Sequence, residues 1–388
     1  MSARRYTVRR VLLLVVAGLF SLAGGAAGQD TRPNLDATSA MPTPEALKAC
    51  LVAERSAECL DRLFRSALKQ HSTREALEWV AHLEATDADL RRDCHPIVHS
   101  IGRETFVQKG TIHDAFAVCD QTCHSGCYHG SVERFLRGDE LYAQSNRHPS
   151  PYELQQKAIS ACDPNTPLRV RYQCLHGLGH AIMFFSGYNL ASALGVCDAL
   201  ADDWSQNSCY GGVFMENVVN SAEGKANFVS GDPLAPCDRI DVKYRSECYG
   251  MQTSYMTGLG LSAEQILAEC DKAGEFRGPC AQSVGRDLSN YSRSGDHRAA
   301  ATSCELATGD LRRACVRGAT YALVDSTWDG RYALPFCTAF KSAVDQDACF
   351  AESLQYLRGT FEKTSVDLAQ ECSRYAPAPE RCLSALNR

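Results

Sequence analysis

Between residues 45 and 388 apolar side chains recur at three- and four-residue intervals in short blocks, and each block closes in a turn rich in Pro, Gly and Asp. No stretch alternates apolar and polar residues strictly enough to read as a strand. Ser262 followed by Ala263 to Cys270 is a representative block, a capping serine and then an amphipathic helix. The pattern predicts an all-α chain of short helices.

Cysteines show how the blocks are grouped. Cys50 and Cys59, Cys162 and Cys174, Cys197 and Cys209, Cys237 and Cys248, Cys270 and Cys280, Cys304 and Cys315, Cys337 and Cys349, and Cys372 and Cys382 form pairs 9 to 12 residues apart. The second members, taken with Cys94 and Cys127, advance by 35, 33, 47, 35, 39, 32, 35, 34 and 33 residues. A period near 34 is that of a helix-turn-helix repeat. Local wording agrees, since Asp89-Leu90-Arg91-Arg92-Asp93-Cys94 returns as Asp310-Leu311-Arg312-Arg313-Ala314-Cys315, each with an Asp placed to cap a helix.

Each pair is expected to tie the end of a helix A to the start of a helix B, for roughly 2–3 kcal/mol per bridge. The expected fold is an α-solenoid of about ten disulfide-pinned hairpins over residues 45–388, the last opening near Ser365. Gly130, Gly177, Gly212 and Gly318 each stand three residues after a helix B cysteine. Helix propensity disfavours glycine there by ~1 kcal/mol, so the spacing predicts a close approach of neighbouring helices. In period and pairing the chain resembles the cysteine-bridged Sel1-like and tetratricopeptide-like repeat proteins, and the resemblance implies hairpins stacked into a superhelix.

Ahead of the repeats, Arg4, Arg5, Arg9 and Arg10 precede an apolar run from Val11 to Ala23, and Ala26 and Gly28 supply a small-x-small cleavage pattern. Residues 1–28 read as a secretory signal peptide and 29–44 as a linker. No later apolar run is long enough for an integral membrane segment after signal cleavage. Losing the signal removes four of the 40 basic residues and none of the 46 acidic ones, leaving a net charge of −10. That balance excludes nucleic acid as the natural partner. Twenty cysteines in an acidic exported chain point to a periplasmic or secreted protein held by disulfides.

Three cysteine-headed segments carry metal-competent side chains at helical spacing: His95 and His99, His129 and Glu133, His176 and His180. His129 and His176 both follow their cysteine by two residues, and Glu133 and His180 by six, whereas His95 and His99 stand one residue earlier in that frame. Later hairpins hold Gly211 and Met215, Gln282 and Arg286, or Arg317 and Tyr321 at these positions, so the fold itself does not require the histidines. Imidazoles with a carboxylate suit a transition metal ion, Zn, Cu or Fe, as one or two ions. Glu133 and Glu216 are the candidate proton-transfer groups.

Known motifs add little. Pro96 and Gly177 stand where a zincin needs Glu, and the repeat assigns Cys119 to Cys127 rather than to a haem. Cys94 and Cys123 are left over; they either bond to one another beside the cluster or act as thiolate ligands. Insertions between Arg137 and Ser150 and between Asn220 and Pro236 flank the histidine hairpins as a lid or as plain surface loops. The reading that follows is a metal-dependent oxidoreductase or hydrolase acting on an unknown substrate. The alternatives are a metal storage or delivery protein, or a non-catalytic scaffold for an envelope protein or peptide.

Overall fold

The computed structural model describes residues 40–138, 149–219 and 231–386. The segment read as a signal peptide, most of the expected linker and most of both insertions lie outside the described residues. Every regular element within them is a helix. No described helix is long and apolar enough to cross a membrane.

All ten cysteine pairs are bonded. Nine bridges close a hairpin over 8 to 12 residues. The tenth, Cys94–Cys123, spans 29 residues and joins two hairpins. Ser262 caps its helix through a reciprocal capping box with Gln265, as its spacing predicts. The two Asp-Leu-Arg-Arg repeats behave differently: the caps are Asp87 and Thr308, so Asp89 and Asp310 already lie inside the first turn. Several second helices also begin ahead of their cysteine, Leu168–Phe185 before Cys174 and Asp203–Val219 before Cys209.

Successive second helices pack side by side, Cys94–Lys109 on Thr122–Arg137, that helix on Leu168–Phe185, and that in turn on Asp203–Val219. Glycines set the spacing. A Cβ on Gly130 would stand 1.9 Å from the His99 carbonyl oxygen, and one on Gly102 would stand 2.1 Å from that of Cys127. Gly212 and Gly179 make the same reciprocal pair with the carbonyls of His176 and Cys209, and Gly318 and Gly285 with those of Gln282 and Cys315. Only a residue without Cβ permits backbones this close.

This register corrects the alignment by cysteine. His99, not His95, occupies the place of His176, because both offer their carbonyl to the glycine of the next helix. Cys94 bonds to Cys123 instead of to a preceding helix A cysteine, so it no longer marks the common frame.

Hairpins far apart in sequence also meet. Arg293 donates to Glu84 at 2.6 Å across 209 residues. Trp328 lies beside Tyr128 and under the Arg169 guanidinium, and Leu168–Phe185 touches the Ala343–Phe361 helix. These contacts go beyond the nearest-neighbour stacking of an open helical repeat.

The glycine contacts predict a sharp contrast between two substitutions. Gly318→Ala puts a methyl 1.8 Å from the Gln282 carbonyl oxygen, and is expected to cost about 2–3 kcal/mol or prevent folding. Gly359→Ala, in a helix with nothing within 4 Å, is expected to add roughly 0.5–1 kcal/mol. Urea-unfolding midpoints of the two variants check both signs.

Candidate metal centre

The close-packed helices bring five imidazoles together. His95 and His99 come from Cys94–Lys109, His129 from Thr122–Arg137, and His176 and His180 from Leu168–Phe185. Ring centres stand 4.4 Å apart for His95 and His99, 5.3 and 5.5 Å from these to His129, and 5.2 Å from His129 to His180. His180 lies 6.4 and 6.5 Å from His95 and His99. Tetrahedral ligation by four imidazoles would hold ring centres roughly 5 Å apart.

Hydrogen bonds assign the tautomers. His95 Nδ1 donates to the Cys123 carbonyl at 2.7 Å, and His99 Nδ1 donates to Glu133 Oε1 at 2.8 Å. In its neutral form each ring then keeps a lone pair on Nε2, and these two nitrogens face each other at hydrogen-bond distance, 2.9 Å. His180 Nδ1 donates to Glu216 Oε2 at 2.9 Å, which leaves its Nε2 buried without a partner. Neither nitrogen of His129 has a partner, although the residue is buried. Orphaned buried polar atoms on this scale are costly and rare.

His176 stands to one side. Its ring is 5.0 Å from His180 and 5.7 Å from His129, and its Nδ1 lies 3.5 Å from the Tyr172 hydroxyl. Tyr172 stacks on it at 5.4 Å. Exposed His124 borders the cluster, its ring 6.4 Å from that of His95, and meets Arg293, whereas His82 stacks on Trp79 and His297 bonds Ser292. His148 falls outside the described residues.

Both candidate carboxylates are engaged by histidine. Glu133 accepts from His99 and, at 2.6 Å, from Arg103. Arg103 is buried and also pairs with buried Asp61 at 2.8 Å. Burial alone would raise the Glu133 carboxyl, but His99 and Arg103 outweigh it and hold it below the usual carboxylate range. Burial, reinforced by neighbouring imidazoles, pushes His95, His129 and His176 well below their ordinary values, so these rings stay neutral and competent as ligands.

Sequence spacing does not single out Arg103, Asp61 or the half-buried groups on the far side of His176. Arg103 follows His99 by four residues, which is a usable sign of a shared face. Asp325, Tyr356 and Tyr321 come from hairpins that give no histidine to the cluster, and only the folding-back of the chain brings them near Tyr172. Tyr356 donates to Asp325 at 2.9 Å and stacks on Tyr321 at 3.8 Å. Burial pushes the Asp325 carboxyl up to about 7. The chain matches no protein-family model, no curated protein and no solved structure.

Asp325 makes stability depend on pH in a definite direction. Its folded value, about 7, lies above its ordinary 3.8, so between these limits the folded state holds a proton that the unfolded chain lacks, and stability falls as pH rises. Asp325→Asn keeps an acceptor for Tyr356 and removes the charge. Its stability relative to wild type should therefore be higher at pH 8 than at pH 5, by about 2 kcal/mol, in paired urea titrations.

Proposed function

We propose that this chain is an exported, disulfide-pinned stack of helical hairpins, with a period near 34 residues, that carries a first-row transition metal ion, Zn, Cu or Fe. The ligands in this reading are Nε2 of His95, His99 and His180 and one nitrogen of His129. One observation carries the reading: the Nε2 atoms of His95 and His99 converge at 2.9 Å beside the orphaned nitrogens of His129 and His180. Nitrogens so placed need a proton or a metal ion between them, and a metal ion would also satisfy the orphaned nitrogens of His129 and His180.

Glu133 and Glu216 have a different role here from the one their spacing suggests. Each accepts from the Nδ1–H of a ligand histidine, which fixes the tautomer and makes the imidazole more basic. Arg103 and Asp61 then lock Glu133 in place. They position ligands; they are not themselves ligands or proton carriers.

Among the described residues, a close trio of ligand atoms is formed by His95, His99 and His129, all within 4.8 Å. Three close imidazoles and a more distant fourth suit a reactive centre with an exchangeable position better than a closed structural one. A bound ion would supply Lewis acidity or a redox couple. The reading is accordingly a metal-dependent oxidoreductase or hydrolase.

The test is metal content by mass spectrometry on exported protein purified without chelators or a His tag. At least one equivalent is expected in wild type, and a His95→Ala/His129→Ala double variant with an unchanged helical spectrum should lose it. Glu216→Gln should keep the ion with affinity lowered about 10–100-fold. Wild type that carries no metal and takes none up on titration would sink the proposal.

A further inference from the structure

His176 does not belong to the four-imidazole set, and what surrounds it points to a second use. Gly211 holds the place in its hairpin that His129 holds in an earlier one, two residues after the bridging cysteine and one before the close-contact glycine. The side chain missing there leaves a gap. A Cβ on Gly211 would stand 3.4 Å from His176 Nδ1, 3.7 Å from its Cε1 and 3.6 Å from Glu247 Oε2. The Tyr172 hydroxyl closes another side, 3.5 Å from the same nitrogen.

Glu247 is the unusual member. Its carboxylate is half-buried and, among the described residues, takes no hydrogen bond and no ion pair, and burial raises it to about 7. A carboxylate partly withdrawn from water and facing an imidazole and a phenol is a ready ligand for a cation. The Arg286 guanidinium, whose charge reaches His176 and Tyr172, is already held by Asp287 at 2.7 Å, Ser254 at 2.8 Å and the Gly250 carbonyl at 3.0 Å. Glu247 is thus left facing the gap.

We propose that the gap beside Gly211 is a second divalent-cation site, with Glu247, His176 and the Tyr172 hydroxyl as its three ligands. A mixed carboxylate, imidazole and phenol set suits a first-row divalent ion such as Zn, Mn or Fe, harder in character than the all-imidazole site beside it. The inference shares with the preceding reading the idea of a metal protein, but none of its ligands.

Gly211→Ala offers a clean probe, because it fills the gap at ordinary van der Waals distances inside a helix, where alanine is favoured by roughly 1 kcal/mol. The full-length exported protein and its variants would be equilibrated with cobalt(II), passed through gel filtration, and assayed for total bound metal. Two equivalents are expected in wild type and one each in Gly211→Ala, Glu247→Gln and His95→Ala/His129→Ala, with Gly211→Ala no less heat-stable than wild type. Two equivalents retained in both Gly211→Ala and Glu247→Gln overturn the second site. A single wild-type ion lost only in the double histidine variant also overturns it and leaves the first site standing. A single ion lost only in Glu247→Gln and Gly211→Ala supports the second site and removes the first.

Discussion

The reciprocal approach of glycine to carbonyl between adjacent second helices is the constraint on which the rest depends. Gly130 against the His99 carbonyl and Gly102 against that of Cys127 fix two helices closer than side chains at those places would permit. At ordinary helix separations of 8–10 Å, imidazoles on neighbouring helices reach toward each other but do not crowd. Here five histidine rings share one small volume, with neighbouring ring centres between 4.4 and 5.7 Å apart. Gly177 extends the same principle to the third helix, because a Cβ there would strike the His129 Cα and ring at 2.9 Å. Disulfides pin each hairpin shut, but glycines decide how tightly one hairpin lies on the next.

Polar bookkeeping explains why the cluster is built of neutral imidazoles with two carboxylates set behind them. His99 and His180 occupy one face of the site, and each donates its Nδ1–H outward to a glutamate of the following hairpin. That turns both Nε2 atoms inward. A carboxylate placed directly among the rings would bring a charge into the interior, whereas Glu133 is compensated where it stands by Arg103, and Arg103 in turn by Asp61. The same logic makes Glu247 conspicuous, since it is half-buried and, among the described residues, no cationic side chain pairs with it.

Much of this was legible from spacing. The cysteine pairs, the helical hairpins, the close-contact glycines and the grouping of His95, His99, His129, Glu133, His176, Glu216 and His180 all follow from residue offsets, because a helix converts an offset into a facing direction. What was not legible depends on distance in space. Asp325 and Arg293 carry no motif and reach the histidine helices only because distant hairpins meet, while Glu247, on the hairpin after Gly211, has no spacing that marks it. The role of Glu133 was hidden for a different reason: an offset of six from a cysteine says which face a carboxylate shares, not which atom takes its oxygens. The frame error at His95 has a simple cause, a cysteine that bonds out of pattern.

That exceptional cysteine also explains a costly local conformation. Cys123, His124 and Ser125 all adopt left-handed backbone angles, with φ of 48°, 57° and 62°. For residues with a Cβ this costs roughly 1–2 kcal/mol each. Three in succession persist only where the surroundings enforce them. The enforcement is visible: Cys123 is bonded to Cys94, Cys119 and Cys127 clamp the loop from either side, and Arg293 holds His124 and Glu84 together from the far end of the chain. What the strained turn delivers is the Cys123 carbonyl, aimed at His95 Nδ1. Without that acceptor His95 would be free to protonate Nε2 and turn away, so the one disulfide outside the repeat serves the histidines rather than the hairpins.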